Sequence, residues 1–443
     1  MRLKTISDFT KNTITDTLKI ITSKGALKDL YNVSLYRNAF YLTVNSAVLA
    51  LTGFFFWIVA ARFYPVETVG LTSAAIGASG FLALFSTLGL DQGIIRFLPG
   101  AGDKARDLIN SIFSVVGILS LVLAVIFLAG VRIWSPALLP IRENSVFFTI
   151  FVLFTVASLI QSFTNQVFIA KRRSGFALIQ GLVFSLLRFV PLIILVAYFK
   201  TFGIFASLAS SIIITVILST LIFLPRVEKG YLPRPVIKKE FIKEMVGYSV
   251  ANYVAGMLWM LPQTVLPLIV VNLLGTEQNA YYYIGWNVAA IVFAIPAAVS
   301  FSLFAEGSHH EDKLGIEIVR ALKLLSVILI PSIVILTIFN AKILALFGAA
   351  YSENGTKLFW YLIFSAIPIS MNYIYYGIKR VEKKMKAVII LSAVVASIIV
   401  GLSYILLPRM GIVGAGVAWL SGQGAGSVFV VYSLFKRQSF PLV

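Results

Sequence analysis

One arginine stands where a charge is expensive. Arg188 falls in the apolar segment Gly181-Leu-Val-Phe-Ser-Leu-Leu-Arg-Phe-Val-Pro191. At the centre of a membrane-length stretch it costs about 2.5–3.5 kcal/mol, so it should face water or a partner, and an anionic group is the attractive one. It could also snorkel, or pair with polar groups on neighbouring helices. Around it, neutral polar residues recur in steps of three and four, which puts each set on one helical face. One set is Thr155, Ser158, Gln161, Ser162 and Asn165; another is Ser249, Asn252, Gly256, Trp259 and Gln263. Asn38, Tyr41, Asn45 and Thr52, and Ser365, Asn372 and Tyr375, repeat the theme more weakly. Such stripes line a hydrated cavity or hydrogen-bond adjacent helices. Arg188, Asn45, Gln161, Asn165, Asn252, Trp259, Gln263 and Asn372 are therefore the candidate binding residues. Asp91 and Arg96, five apart, could gate a cavity mouth, clamp a phosphate, or only fix the end of a helix.

The elements that carry these residues are long and apolar. Mean hydropathy is +0.93 and 59% of the 443 residues are hydrophobic, against roughly 45–50% in soluble domains. Twelve stretches have the length that a helix needs to cross a bilayer. They are 39–62, 66–90, 108–130, 145–169, 175–199, 202–224, 245–271, 279–304, 318–339, 357–378, 386–407 and 411–435. Alternate loops, with the adjoining span ends and both tails, hold 29 of the 37 Lys and Arg. Short Lys/Arg-rich loops stay cytoplasmic, so both termini are expected inside a multi-pass protein of the cell membrane. The net charge of +19 is thus a membrane pattern that attracts anionic lipids, not a nucleic-acid footprint.

The organisation reads as a cytoplasmic N-terminal segment (1–38), an N-lobe of six spans (39–224), a basic Pro-broken linker (225–244), a C-lobe of six spans (245–435) and a tail (436–443). The lobes look duplicated. At an offset of 210, Arg62–Gly70 overlies Asn272–Ala280, with Glu67 over Glu277. At 208, Gly203-Ile204 overlies Gly411-Ile412, and Lys171-Arg172 overlies Lys379-Arg380. Six spans per unit gives both lobes one orientation, hence a pseudo-two-fold axis along the membrane normal with the working site between them. Prolines 191, 262, 267, 296, 331 and 368 within spans suit lobes that rock.

Much chemistry is excluded. Without cysteine there are no disulfides or thiolate sites. No P-loop is present, nor a close carboxylate pair or a soluble catalytic domain, so no enzyme and no cofactor are expected. His309-His310-Glu311-Asp312 reads as a solvated loop, so no metal is expected. Asn354-Gly-Thr356 is a sequon on an outer loop close to the membrane. No cleavable leader is expected in the polar, Lys-rich first 35 residues.

Ala61-Arg-Phe-Tyr-Pro-Val-Glu-Thr-Val-Gly70 and Gly89-Leu-Asp-Gln-Gly-Ile-Ile-Arg-Phe-Leu-Pro99, set in twelve spans, resemble the polysaccharide-transporter family of the multidrug/oligosaccharidyl-lipid/polysaccharide exporter superfamily. The resemblance runs from about residue 36 to 438. It implies an all-α, MATE-like fold of two six-helix lobes and a flippase that moves an undecaprenyl- or dolichyl-linked oligosaccharide to the outer leaflet. It implies alternating access through a cationic central cavity, with membrane lipids and the pathway's glycosyltransferases or polymerase as partners. Arg188 is the candidate cavity cation, though it matches no family motif. The alternative within the superfamily is a multidrug or small-cation antiporter, which would be expected to use buried carboxylates for its coupling ion.

Overall fold

The computed structural model describes residues 34–197, 199–309 and 314–435. Most of the expected N-terminal segment, the tail 436–443 and His310-Glu311-Asp312 lie outside them. The described residues are helical, without a strand. The twelve long helices are α1 (Ser34–Phe63), α2 (Val66–Ser86), α3 (Ala105–Ala129), α4 (Ser145–Ala170), α5 (Ser174–Leu195) and α6 (Gly203–Val227), then α7 (Lys239–Leu274), α8 (Thr276–His309), α9 (Leu314–Ala345), α10 (Ala349–Val381), α11 (Met385–Met410) and α12 (Val413–Phe435). Eleven are long and apolar enough to cross a membrane. The last, α12, has 23 residues, and Gly414, Gly416, Gly422, Gly424 and Gly426 dilute its hydropathy.

Several helices outrun the apolar stretches, because backbone hydrogen bonding continues past the hydrocarbon for as long as the residues tolerate it. Thus α7 starts at Lys239 rather than 245, and α10 at Ala349 rather than 357. The second shift moves the sequon from a loop into a helix, where the exposed Asn354 donates to the Ala350 carbonyl at 2.9 Å.

Packing repeats at an interval of six helices. In the N-lobe, α1 lies against α5, and α4 against α3 and α6; in the C-lobe, α7 lies against α11, and α10 against α9 and α12. Both α4 and α10 end in a left-handed residue, Arg172 (φ 55°) and Lys383 (φ 57°). The next amide closes each stop, Arg173 N–H onto Phe168 O and Lys384 N–H onto Lys379 O, both at 2.8 Å. These stops are 211 positions apart, three more than the 208 that overlays the two Lys-Arg pairs.

The linker is pinned along α3. Asn110 donates to Leu232 O (3.0 Å) and accepts from Arg234 N–H (3.3 Å), while Ser111 accepts from Lys238 N–H (3.0 Å). The lobes meet where α2 lies against α7 and α8. Here the duplicated turns touch each other, the self-complementary contact that two-fold symmetry allows. Asn279, fully buried, donates to Gly70 O at 2.8 Å and Ser73 Oγ at 2.9 Å. A β-carbon on Gly70 would overlap the Thr276 carbonyl, so only glycine lets the backbones meet.

Gly70→Ala should therefore cost about 1–3 kcal/mol or more by overpacking and lower the melting temperature in detergent. Gly401→Ala, with open space around it, is the neutral control. Equal melting of the two variants would refute the contact.

Candidate functional site

Proline creates the site's central feature. Pro191 has no N–H and its ring clashes with the carbonyl four residues back, at Leu187. Accordingly α5 is interrupted, with regular turns over Ser174–Leu187 and Phe189–Leu195 and Arg188 between them. Ser207 of α6 donates to the Arg188 carbonyl at 2.7 Å. The side chain turns inward and is 6% exposed.

Its surroundings hold no carboxylate partner. Arg188 Nη2 donates to Thr52 Oγ1 at 2.7 Å. That hydroxyl donates to Val48 O at 2.6 Å and stands 3.0 Å from Ser185 Oγ. The guanidinium carbon lies 5.1, 5.2 and 5.9 Å from the ring centroids of Phe56, Phe184 and Phe189. In a desolvated setting, cation–π contacts reach about 2 kcal/mol. None of the ion pairs among the described residues involves Arg188, and its Nε is buried without a partner. Across the lobe boundary, Tyr283 of α8 is its electrostatic neighbour and stacks edge-on with Trp57 at 4.9 Å.

Below Arg188 a polar seam follows α1 and α5. Asn38 Oδ1 accepts from Ser174 N–H at 3.0 Å, and Tyr41 comes within 3.5 Å of a β-carbon placed on Gly175. Asn45 sits so close to Gly181 that a β-carbon there would overlap its amide oxygen. Asn38, Tyr41, Asn45 and Thr52, spaced in the sequence as one face, are the face turned to α5. Beside Asn45 the seam widens into a cavity of about 190 Å³, bounded by Ser158, Gln161, Ser162, Asn165 and Gln180. That volume holds several waters. The amide oxygens of Asn45, Gln161 and Asn165 are buried without a protein partner, so the cavity presents acceptors to whatever enters. Gln180 is satisfied by Ser219 Oγ at 3.0 Å.

The structure brings together Asn45, Gln161 and Asn165, with Arg188 one to two turns further along. It does not bring the C-lobe candidates to them. Asn372 is fully buried between α10 and α12, donating to Gln423 Oε1 at 2.8 Å and Gln423 O at 3.0 Å. Trp259 packs edge-on with Tyr373 (5.0 Å) and Tyr376 (5.1 Å). Asn252 is exposed and Gln263 half-buried on α7. Asp91 and Arg96 occupy the first and last turns of a short helix, Leu90–Phe97, where their charges suit its dipole. They form no ion pair with each other, because five residues separate them around that helix. Among the described residues no group of three or more His, Asp or Glu could hold a metal. Gln180, Gly181, Ser185 and Ser207 belong to the seam but stand out in no pattern, since single Gly and Ser are common in apolar helices.

Thr52→Val strips the guanidinium of its hydrogen-bond acceptor and should cost about 1–3 kcal/mol, seen as a lower melting temperature in detergent. Thr52→Ser should restore it. Full stability in Thr52→Val would show that the aromatic rings alone hold Arg188.

A family model described as polysaccharide biosynthesis protein matches residues 35–305. Over 178 residues the chain is 26% identical to a probable flippase, AglR, of Haloferax volcanii. That match covers 38% of this chain and 37% of AglR, little more than a third of the curated relative's length. Among solved structures, the lipid II flippase MurJ in an inward closed conformation superposes with a TM-score of 0.69 at 12% identity, over 88% of this chain and 87% of that one. An inward-facing multidrug resistance MATE family transporter of the MOP superfamily gives 0.65 at 16% identity, over 87% and 96%. A MOP superfamily transporter from Pyrococcus furiosus gives 0.58 at 13%, over 91% and 95%. At such identities the likeness carries the fold: two six-helix lobes of the MOP type.

Proposed function

The chain belongs to the polysaccharide biosynthesis protein family, and on that premise we propose that it is a flippase for a prenyl-(pyro)phosphate-linked oligosaccharide. The observation that carries this reading is the polar seam of α1, α4 and α5, with unpartnered amide oxygens at Asn45, Gln161 and Asn165 and the carboxylate-free Arg188 beyond them. A sugar headgroup offers hydroxyl donors to such oxygens. A phosphate is the natural partner of a buried guanidinium, which presents planar paired donors to it. Unpaired polar groups and charges cost several kcal/mol each in hydrocarbon. A polar lining lowers that barrier while the prenyl chain stays in lipid.

Direction follows from topology. With both termini cytoplasmic, as the distribution of Lys and Arg suggests, the end of α1 at Phe63 faces outward. The lobes are latched at that end. Arg62 donates to Ala345 O (2.8 Å) and Leu346 O (2.9 Å), Phe54 packs edge-on with Phe347 at 5.4 Å, and Asn272 Oδ1 accepts from Ala137 N–H at 3.2 Å. The form described is then the outward-closed one, awaiting cargo from the cytoplasmic leaflet. The division into 39–224 and 245–435, joined by 225–244, is the working pair of lobes. Glycosyltransferases or a polymerase of the same pathway are its proposed partners, supplying and consuming the cargo.

A cation-coupled drug antiporter on the same fold is less well supported. Among the described residues every Asp and Glu lies in a loop or within two turns of a helix end, and the deep charge is positive.

In proteoliposomes carrying a labelled lipid-linked oligosaccharide, Arg188→Ala and Arg188→Glu should slow headgroup translocation at least tenfold, roughly the loss of one charge-assisted contact. Asn45→Ala/Gln161→Ala/Asn165→Ala should do likewise. Wild-type rates in all three, or dye efflux without headgroup movement, would reject the reading. The latch has its own test, eased by the absence of native cysteine. With Trp57→Cys as reporter, buried at the lobe boundary against Tyr283, Arg62→Ala should raise maleimide labelling from the outer face roughly five- to tenfold. An unchanged rate would show that Arg62 does not hold the lobes shut.

A further inference from the structure

Where the seam begins, at the face carrying Ser34 and Phe435, it opens into a second cavity of about 300 Å³. Arg37 and Tyr41 line it from α1, Arg172 and Arg173 from the α4–α5 stop, and Phe176 and Ile179 from the first turns of α5. Three guanidinium groups around one concavity present paired, planar donors suited to phosphoryl oxygens. The N-terminus of α5, with Asn38 capping Ser174, adds a partial positive charge on the same side.

The duplicated lobe arranges its charges differently at the equivalent stop. Counting 211 positions on, Arg173 corresponds to Lys384 and Lys171 to Glu382. In the C-lobe, Glu382 accepts from Lys379 and Lys384, both at 2.9 Å. Burial resists its ionisation, yet these lysines hold its carboxyl down at about 2. The C-lobe stop thus carries its own counter-charge. In the N-lobe a lysine occupies that position, and this Lys171 is itself taken by Glu228 of the linker at 2.6 Å. Neither Arg172 nor Arg173 forms an ion pair among the described residues. Both are exposed, and Arg172, like Lys383, holds the left-handed conformation that any β-carbon disfavours.

The lining contributed by α5 adds an apolar wall. Phe176 is half-buried and Ile179 is 43% exposed, one turn into a membrane helix. A soluble anion would leave that wall unused, whereas a phosphate esterified to a hydrocarbon chain fills both halves. We infer that this cavity is a docking site for the phosphate or diphosphate head of a lipid, the guanidinium groups of Arg37, Arg172 and Arg173 on the phosphoryl oxygens and the first methylenes along Phe176 and Ile179. Only the lipid's identity as the transported carrier rests on the flippase reading. The site is separate from Arg188.

The test is equilibrium binding to the purified full-length chain in detergent, with farnesyl diphosphate as probe and farnesol and inorganic diphosphate as its halves. Farnesyl diphosphate should bind at least about tenfold more tightly than either half. R172A/R173A should weaken it by a similar factor, R172K/R173K should weaken it less, and R409A, an exposed arginine at the far end of α11, should leave it unchanged. Displacement by phosphatidylglycerol at matched concentration would assign the site to anionic phospholipids generally; resistance to displacement would assign it to prenyl diphosphates. Inorganic diphosphate binding as tightly as the farnesyl ester, or equal affinity in R172A/R173A, would overturn the inference. Should that variant not fold, the wild type decides, because affinity that does not fall with added salt excludes an arginine–phosphate site. The readout is binding, so it stands or falls apart from translocation, which the Arg188 variants test.

Discussion

Hydrocarbon supplies no hydrogen-bond partner, so every polar group inside the bilayer must find another polar group or enclosed water. That constraint builds the seam on which the site depends. Pro191 interrupts α5 beside Arg188, whose carbonyl accepts from Ser207 of α6 and whose guanidinium reaches Thr52 of α1. Three helices are tied through one residue. Gly181 then lets Asn45 approach α5, and the widening beside it leaves the amide oxygens of Asn45, Gln161 and Asn165 without protein donors. These three oxygens border a cavity with volume enough for water to hydrate them.

Helical spacing reveals which residues share a face but not what that face meets. Asn45 and Asn372 look alike in sequence, each in a stripe of polar residues on an apolar span. Asn45 faces a cavity, whereas Asn372 is satisfied by Gln423 from α12. Nothing local separates them, because the difference lies in a helix about fifty residues away. Thr155 lies in the α4 stripe yet turns its hydroxyl to the Phe151 carbonyl, the back-bonding that Thr readily adopts in a helix. Arg188 was legible because a charge in an apolar run has no bland explanation. Thr52, which accepts from it, stands only in a weak polar stripe, and Ser185, which meets Thr52, is a small hydroxyl whose significance arises only on contact. Asp91 and Arg96 looked like a pair by proximity along the chain, and helical geometry separates them.

Duplication explains both the likeness of the lobes and where they diverge. Corresponding turns at Val66–Gly70 and Thr276–Ala280 meet each other across the lobe boundary. There the side chains are small: Gly70 against the Thr276 carbonyl, Gly77 against Pro267. Away from this contact the copies have drifted. The helix stops are structurally equivalent at 211 positions, although the more obvious Lys-Arg match suggests 208. Conserving a backbone conformation does not require conserving the residues that adopt it. One position of the stop, Lys171 in the N-lobe and Glu382 in the C-lobe, has consequently changed sign without disturbing the turn.

Tight packing at the Gly70 contact and polar ties away from it divide the lobe interface into parts of different stiffness. Backbone-to-backbone contact at Gly70 leaves no side chain to rearrange, so it resists sliding and suits a pivot. The outer ties are of another kind. Arg62 holds two carbonyls from an exposed position, and Phe54 and Phe347 meet edge to edge. Such contacts exchange for water at modest net cost. Between pivot and latch lies the edge-on pair of Trp57 and Tyr283, and Tyr283 is also the C-lobe neighbour of Arg188. Under the proposed cycle, separating the lobes at the latch withdraws Tyr283 from Arg188. The cation would then meet water or cargo as the outer face opens, so that one rotation about the Gly70 contact both unlatches the lobes and changes what the buried charge can bind.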